Sequence, residues 1–183
     1  MNGMTLVLLS GGIDSTATLA LYRRKAVEVS ALFVDYGQPA ATRERESAHR
    51  IAEHYKTAMN SVRCTGLGAL GSGYIKGRNA LLLHLALTAA PFEVGQVALG
   101  LHAGTPYVDC SAAFVSEAQR MFDLYCSGRI RVVAPFINDD KRGVVGFCRD
   151  AAVPLQLTYS CERGGHEPCG SCLRAKRRAG FRC

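Results

Sequence analysis

The sequence has no apolar run long enough to cross a bilayer, and its start has no positive region followed by a signal-like hydrophobic core. These absences argue against a helical membrane protein and against secretion. We therefore expect a cytoplasmic protein with no membrane partner. At 183 residues, of which 48% are hydrophobic, the chain is long enough for one ordinary domain with a real core.

Acidic side chains are scarcer than basic ones, with 15 Asp and Glu against 22 Lys and Arg. The formal net charge is +7 and the sequence pI is about 9.1. This balance favours anionic partners such as nucleotides, but it also simply aids solubility. We favour the second explanation, so charge alone assigns no function.

Strand-like and helix-like patterns alternate along the chain. Strands are predicted at 5–9, 27–35, 60–64, 97–102 and 130–134, and helices at 15–25, 42–56, 79–90, 111–126 and 140–152. This alternation predicts an α/β fold with a doubly wound, mostly parallel five-stranded sheet over residues 1–152, followed by a tail over 153–183. The helix at 79–90 is apolar nearly all round, so we expect it to be largely buried.

The first predicted strand ends on Ser10-Gly11-Gly12-Ile13-Asp14-Ser15, which lacks the lysine of the GxxxxGK[ST] phosphate loop. The glycines let backbone N–H groups approach a ligand, and the next helix adds free N–H groups. With the hydroxyls of Ser10, Ser15 and Thr16, they are typical of a nest for phosphate oxygens. Asp14 would cap the helix or help to place a metal ion. The alternative is an ordinary strand–turn–helix corner.

Four further motifs accompany this loop: FVDYGQ at 33–38, GRNALLL at 77–83, PYVDCSAAF at 106–114 and TYSCERGGHEPCGSCLRAK at 158–176. The loop resembles the pyrophosphate loop of the ATP pyrophosphatase superfamily, known as the PP-loop. Together the five motifs resemble the 7-cyano-7-deazaguanine synthase (QueC) family of queuosine biosynthesis. This resemblance implies a ligase that uses ATP, ammonia and Mg²⁺ to convert 7-carboxy-7-deazaguanine into its nitrile, releasing AMP and pyrophosphate.

The resemblance also assigns roles to particular residues. Those expected to hold pyrophosphate and Mg²⁺ are Ser10, Gly11, Gly12, Asp14, Ser15 and Thr16. Those expected to line the nucleotide or substrate pocket are Asp35, Gln38, Arg78 and Asn79. Asp14, Arg78 and Lys141 are the expected catalytic residues, with Arg78 as a fork for an anionic oxygen and Lys141 as a cation for the phosphates.

Each of these assignments has a simpler alternative. Asp35 and Gln38 also suit a β-turn after a strand, and Arg78 is otherwise a surface charge, although a helix N-terminus is an unfavourable place for one. Asp109 matches a family aspartate but is also a candidate N-cap for the helix at 111–126. Lys141 alone is almost as well explained as a solvated helix start.

The tail holds three of the eight cysteines; the other five are scattered singly, as expected of small buried hydrophobes. Without a secretory signal, a disulfide scaffold is not expected. Cys169-Gly-Ser-Cys172 has zinc-site spacing. Because His166 stands where the family has another cysteine, the resemblance implies that Zn²⁺ is held by Cys161, His166, Cys169 and Cys172. The open alternatives are Cys183 or Cys148 as the fourth ligand, no fourth ligand, and a redox CxxC pair.

Two segments depart from the family pattern. Residues 65–76 are all that remains of a longer family insertion, and LHAGTPYVDC differs from the usual DYSGYPDC. We therefore expect an open acceptor side of the cleft, and a chain that acts as a homo-oligomer or as a subunit of a complex. Transfer of the activated acid to another amine or to a protein acceptor, a non-catalytic nucleotide-binding subunit, and a tRNA-modifying enzyme remain alternatives.

Overall fold

Five parallel strands form one sheet in the computed structural model, which describes residues 3–68, 70, 71, 73–165, 167 and 169–172. The strands are β1 (Met4–Leu8), β2 (Val29–Asp35), β3 (Ala58–Arg63), β4 (Val94–Ala98) and β5 (Arg131–Val133). Their order across the sheet is β3-β2-β1-β4-β5. Central β1 pairs on both sides, so Val7 lies opposite Ala31 of β2 and Ala98 of β4. The predicted fold class is confirmed.

Five helices connect or follow these strands: α1 (Ile13–Arg24), α2 (Ala41–His54), α3 (Arg78–Ala89), α4 (Ala112–Cys126) and α5 (Lys141–Asp150). Short 3₁₀ turns occur at Val108–Cys110 and Leu155–Leu157. All ten predicted elements are present. The largest error concerns β4, which lies at Val94–Ala98 and therefore begins three residues and ends four residues earlier than the predicted strand at 97–102.

The helices cover both faces of the sheet, as the apolar strands of a parallel sheet require. On one face, Leu83 of α3 and Phe122 of α4 pack with strand residues in the largest buried cluster. On the other face, Leu19 of α1 and Ile51 of α2 pack against Phe33. The α5 helix joins this second layer through contacts with α1.

The prediction that α3 is largely buried is wrong. Only Asn79, Leu83 and Ala86 of this helix are buried, and its other leucines are partly exposed. The reason is that α3 lies in an outer layer, where one side meets the sheet and α4 while the opposite side faces solvent. Among the described residues, no helix is long and apolar enough to span a membrane.

The strand order creates a crevice at one edge of the sheet. From β1 the chain moves outward through β2 to β3, and it then crosses to the other side of β1 to form β4 and β5. The loops after β1 and β4 therefore diverge beyond the carboxyl ends of two neighbouring strands. In open α/β sheets, ligands bind at such a switch point.

Candidate functional site

A cavity of about 200 Å³ lies at this switch point. Its walls come from the carboxyl ends of β1, β2 and β4, from the start of α3, and from the tail. Eight of the residues predicted from the sequence line it: Ser10, Gly12, Asp14, Ser15, Gln38, Arg78, Asn79 and Lys141. The structure thus brings most of the predicted site to one place, although these residues are spread over 132 positions of the chain.

Gly11 fixes the loop between β1 and α1 from behind and does not line the cavity. Its φ is +77°, and a Cβ atom there would lie 2.5 Å from the Glu44 carbonyl oxygen, so only glycine fits. Its own carbonyl oxygen accepts hydrogen bonds from the Ser47 hydroxyl at 2.9 Å and from the Tyr159 N–H at 2.9 Å. Gly11 therefore joins the loop to α2 and to the tail.

The hydroxyl groups of the loop divide into two sets. Thr16 is fully buried and donates to the Gly12 carbonyl oxygen at 2.8 Å, so its hydroxyl maintains the loop and does not face a ligand. Ser10 is exposed toward the cavity, and its Oγ lies 3.1 Å from the Ser15 Oγ. The N-cap of α1 is Gly12, which has no side chain to cap the helix, so the N–H groups of the first turn remain available for an anion.

Asp14 lies at the centre of the cavity's charged groups. Its Oδ1 accepts a hydrogen bond from Lys141 Nζ, and its Oδ2 lies 3.8 Å from His102 Nε2. The Lys141 side chain is only 16% exposed, which contradicts the alternative of a solvated helix start. The N-cap of α5 is Asp140, which accepts the Gly143 N–H at 2.8 Å and so directs Lys141 into the site.

Two residues in the loop after β4 complete this region and were not predicted. A Cβ atom on Gly100 would lie 2.6 Å from the carbonyl carbon of Asp14 and from the Ser15 nitrogen, so a glycine is needed where this loop crosses the start of α1. His102 lines the cavity and is 6% exposed. The signal that could have indicated His102 is its position just after a strand, but the predicted strand extended through residue 102.

Asp35 does not line the cavity, contrary to its predicted role. Its Oδ1 accepts the Gly37 N–H at 3.1 Å, and its Oδ2 accepts the Arg63 Nε–H at 3.0 Å. The carboxylate is thus used in the turn after β2 and in an ion pair with β3, which is the simpler alternative.

Gln38 does line the cavity, but its side-chain amide has internal partners. The Oε1 atom accepts the Tyr36 N–H at 2.9 Å, and Nε2 donates to Glu44 Oε2 at 3.0 Å. Glu44 is 6% exposed and also lines the cavity, although it was not predicted. Gln38 therefore shapes the wall and holds this buried carboxylate in place.

The start of α3 is tied to the loop before α4. The Asn79 N–H donates to Asp109 Oδ2 at 3.3 Å, and Asn79 Nδ2 donates to the Asp109 carbonyl oxygen at 2.7 Å. Asp109 is not the N-cap of α4, because Ser111 holds that position and accepts the Phe114 N–H at 3.1 Å. Asn79 and Asp109 thus stabilise the backbone beside Arg78, which lines the cavity.

Cys110 is a cavity residue with a thiol that could in principle attack a substrate. Burial, followed by the nearby Asp109 carboxylate, raises the pKa of this thiol. A raised pKa keeps the thiol protonated at neutral pH, whereas the thiolate is the nucleophile. Its environment therefore does not favour covalent catalysis.

Three tail cysteines form a second candidate site, in which the Sγ atoms of Cys161, Cys169 and Cys172 lie within 4.8 Å of one another. The Cys169 N–H points to Cys161 Sγ at 3.5 Å, and the Cys172 N–H points to Cys169 Sγ at 3.3 Å. The hydrogen bond from the Ser171 hydroxyl, followed by backbone N–H groups, lowers the pKa of the Cys169 thiol to about 6. Thiolates at this spacing suit a tetrahedral metal ion.

The fourth ligand of this cluster is not identified by the structure. His166 and Cys183, two of the predicted candidates, lie outside the described residues. The third candidate, Cys148, is buried on α5, where it packs in a core cluster with Ile13 and Val144. The described residues therefore provide three thiols that can bind a metal.

The cysteine cluster lies directly behind a wall of the cavity. Tyr159, Ser160 and Glu162 line the cavity, while Cys161 between them is 1% exposed. Further along, Gly164 has a φ of +74°, and a Cβ atom there would lie 2.3 Å from the Pro39 carbonyl oxygen. The tail is thus packed closely against the loop before α2.

Comparison with known proteins identifies the family. The profile described as queuosine biosynthesis protein QueC matches this chain in two pieces, residues 4–73 and 68–182. The chain belongs to the QueC family. A protein of Methanothermobacter thermautotrophicus is 29% identical, covering 93% of this chain and 91% of its own length, and one of Persephonella marina is 32% identical, covering 94% and 89%. Both are named 7-cyano-7-deazaguanine synthase.

Membership of the QueC family confirms the resemblance and, because these relatives are named as synthases, the prediction of an enzyme. The two matched pieces meet at residues 68–73, inside the segment that the sequence indicated to be shortened. Among solved structures, NMN synthetase from Francisella tularensis aligns with a TM-score of 0.47 at 14% identity, over 92% of this chain and 71% of that one. A similarity of this size adds nothing to the family assignment.

Proposed function

We propose that this QueC-family chain activates the carboxylate of a 7-deazapurine acid with ATP and passes the activated acid to a nitrogen nucleophile. The proposed reaction converts 7-carboxy-7-deazaguanine into 7-cyano-7-deazaguanine and releases AMP and pyrophosphate. The names of the relatives support the substrate class. The observation that carries the proposal is the uncapped N-terminus of α1 at the cavity, with Asp14 and Lys141 beside it.

The pyrophosphate part of ATP would lie on the first turn of α1, where N–H groups and the helix dipole favour an anion. Ser10 supplies a hydroxyl from the same loop, and the Ser15 Oγ, which lies 3.1 Å from it and donates to the Gly12 carbonyl oxygen, supports that hydroxyl. The loop has no lysine of its own, but Lys141 reaches the same region from α5. A cation at this place stabilises the charge that develops on a departing pyrophosphate.

Asp14 is the residue best suited to hold Mg²⁺ with the nucleotide. Its carboxylate is 30% exposed at the cavity, and carboxylate oxygens are preferred ligands of this ion. Bound there, Mg²⁺ would neutralise phosphate charge during cleavage of ATP. In the tail, Cys161, Cys169 and Cys172 would hold Zn²⁺, which would stabilise the wall formed by residues 159–162.

The acceptor acid would lie on the side of Arg78. A guanidinium group binds a carboxylate through two parallel hydrogen bonds, so Arg78 can orient the acid before its oxygen attacks the α-phosphate. Asn79 and Asp109 position the backbone beside it. Adenylation makes AMP the leaving group, which ammonia then displaces to give the amide. A second activation permits dehydration to the nitrile.

A second candidate function is transfer of the activated acid to another amine, including one on a macromolecule. The space around Gly73, which lines the cavity, favours it, because a Cβ atom there would meet no atom of the described residues within 4 Å. A cavity open on this side would admit a nucleophile larger than ammonia. The two functions differ in the nucleophile that attacks the activated acid, and they share the same use of ATP.

Product analysis tests the proposal. The purified chain is incubated with ATP, Mg²⁺, ammonia and 7-carboxy-7-deazaguanine, and nucleotides are separated by chromatography. AMP and pyrophosphate should form only when the acid is present, whereas ADP and phosphate would reject the proposal. Asp14→Asn keeps the shape of the side chain but removes the charge that would hold Mg²⁺ and that binds Lys141, so the rate should fall about a hundredfold, as loss of one electrostatic group in a site typically causes. Asp150→Asn, at an exposed position on α5, is the matched control and should leave it unchanged.

A further inference from the structure

His102 has the surroundings of a metal ligand, although nothing in the sequence pattern assigned it a role. Its side chain is 93% buried, yet it lines the cavity beside Asp14. The residue follows β4 at the switch point and forms a parallel bridge with Phe136 beyond β5. The imidazole is therefore held by the framework of the sheet and not by a free loop.

The hydrogen bond at Nδ1 of the His102 ring determines whether Nε2 can bind a metal ion. Nδ1 lies against the Ala103 carbonyl oxygen, which only accepts hydrogen bonds, so Nδ1 carries the proton. In the neutral ring, Nε2 then carries a free lone pair. A backbone carbonyl on the other ring nitrogen is the usual arrangement around metal-bound histidines, because it fixes the tautomer and the ring orientation.

Nε2 lies 3.8 Å from Asp14 Oδ2, which is too long for a hydrogen bond. In an octahedron, two ligands that each lie about 2.1 Å from the ion are about 3.0 Å apart when adjacent and about 4.2 Å apart when opposite. The observed gap lies between these two values, so a shift of less than about 1 Å in either side chain brings the pair to one of them. Lys141 is bound to the other carboxylate oxygen, Oδ1, so Oδ2 is the oxygen beside the imidazole.

We propose that Asp14 Oδ2 and His102 Nε2 together bind the divalent cation that accompanies ATP. This inference rests on the proposed ATP site and adds a ligand to it. Imidazole is a better ligand for transition metals than for Mg²⁺, which prefers oxygen ligands. The mixed nitrogen and oxygen pair therefore raises the affinity for an ion such as Mn²⁺ relative to Mg²⁺.

Pulsed electron paramagnetic resonance of bound Mn²⁺ tests this directly. The intact chain is loaded with Mn²⁺ and a non-hydrolysable ATP analogue, without any need for turnover. Coupling of the manganese to phosphorus shows that the ion is bound through the nucleotide, and coupling to ¹⁴N that depends on His102 shows that its imidazole is a ligand. Both couplings are expected. The ¹⁴N coupling should disappear in His102→Gln and persist in His84→Gln, whose imidazole is exposed on α3.

A titration gives the matching thermodynamic result. The ratio of Mn²⁺ to Mg²⁺ affinity, measured with the analogue bound, should fall at least about tenfold in His102→Gln, as loss of a group at a metal site typically causes. His102→Asn is a second variant in case the glutamine does not fit. Thermal unfolding of each variant checks that it is folded.

The outcomes separate the two proposals. Phosphorus coupling without ¹⁴N coupling in the unmodified chain would overturn the role of His102 and leave the proposed function intact. An unchanged affinity ratio in a folded His102 variant would overturn it as well. Failure of the nucleotide analogue to bind at all would reject the proposed ATP site, and the role of His102 with it.

Discussion

The two sides of the cavity are packed very differently. On the nucleotide side, Cβ atoms on Gly11 and Gly100 would lie 2.5 Å and 2.6 Å from neighbouring backbone atoms. On the acceptor side, Gly73 lines the cavity, and a Cβ atom there would meet no atom of the described residues within 4 Å. Glycine is therefore required by space on the first side, whereas on the second side the space around it is open.

This difference indicates which part of the activity is fixed by the fold. The loop that would hold phosphate is fastened to α2, to the tail and to the loop after β4, so small changes there disturb several elements at once. The acceptor segment at 64–77 meets the core through Leu70 and Ile75, and the two pieces of the match to the QueC family overlap within it, at residues 68–73. On the proposed function, we therefore expect substitutions on the acceptor side to change the acceptor more readily than the use of ATP.

The largest expected effect comes from Gly100→Ala on the packed side. The new methyl group would overlap the backbone between Asp14 and Ser15, so the start of α1 must shift. Because a misplacement of about 1 Å at reacting groups can lower a rate a hundredfold, the formation of AMP should fall by about this factor. A steady-state assay of AMP, with thermal unfolding of the same sample, measures it.

Gly71→Ala is the matched control on the open side. Its Cβ atom meets nothing within 4 Å, and its φ is not in the left-handed region. AMP formation should stay within about twofold of the unmodified chain, since surface changes away from packed features have small effects. Equal losses in the two variants would mean that the contrast between the two sides has no functional meaning.

A smaller effect is expected from the cysteine cluster, which supports the tail wall of the cavity. Cys161→Ser should reduce bound zinc and weaken ATP binding about tenfold, since coupled sites typically differ by 5- to 150-fold. Equilibrium dialysis with labelled ATP and metal analysis of the same preparation measure both quantities. Cys64→Ser, outside the cluster, should change neither. Loss of zinc with unchanged ATP affinity would show that the two sites are independent.

On the open side, the expected effect is on the fate of the adenylate. An open cleft admits water, which hydrolyses an acyl adenylate before ammonia attacks. Nitrile formed per AMP should therefore rise several-fold as protein concentration increases and self-association covers the cleft, as judged by light scattering. A demonstrable monomer that forms nitrile efficiently would show that the acceptor side needs no cover.

The smallest expected effect is on the pH dependence of the free energy of unfolding, through Tyr55 at the end of α2. Burial, followed by interaction with Cys148, raises the pKa of Tyr55 to about 12. Between the ordinary pKa of about 10 and this value, the unfolded chain loses the tyrosine proton while the folded chain keeps it, so stability falls as pH rises. Tyr55→Phe should reduce the loss of stability across this range in urea unfolding curves. An equal loss of stability with rising pH in the variant and in the unmodified chain would contradict this prediction.

Local sequence signals predicted the sheet and much of the cavity. The glycine loop, GRN at 77–79 and Lys141 are placed by strand ends and helix starts, which periodicity reveals. Asp35 was predicted to line the cavity, but a turn and Arg63 use its carboxylate. The amino-acid sequence around Asp35 shows neither contact. The burial of α3 was overestimated for a similar reason, since an apolar helix does not reveal how many sides are covered.

The missed residues depend on contacts between distant parts of the chain. A glycine is needed at position 100 because the backbone of Asp14 lies against it. The Glu44 carboxylate is held in the cavity wall by Gln38, which lies in the turn before α2. His102 was missed because the predicted strand ended at residue 102, whereas β4 ends at Ala98. Such contacts are set by the packing of loops at the switch point, and no local pattern encodes them.

The central claim is that the acid's own oxygen attacks the α-phosphate of ATP, and an oxygen isotope follows it directly. The deazapurine acid is labelled with ¹⁸O in its carboxylate and incubated with the chain, ATP, Mg²⁺ and ammonia. Mass spectrometry of the products should find one ¹⁸O atom in AMP and none in pyrophosphate. Label in phosphate released with ADP, or AMP without label, would contradict adenylation of the carboxylate.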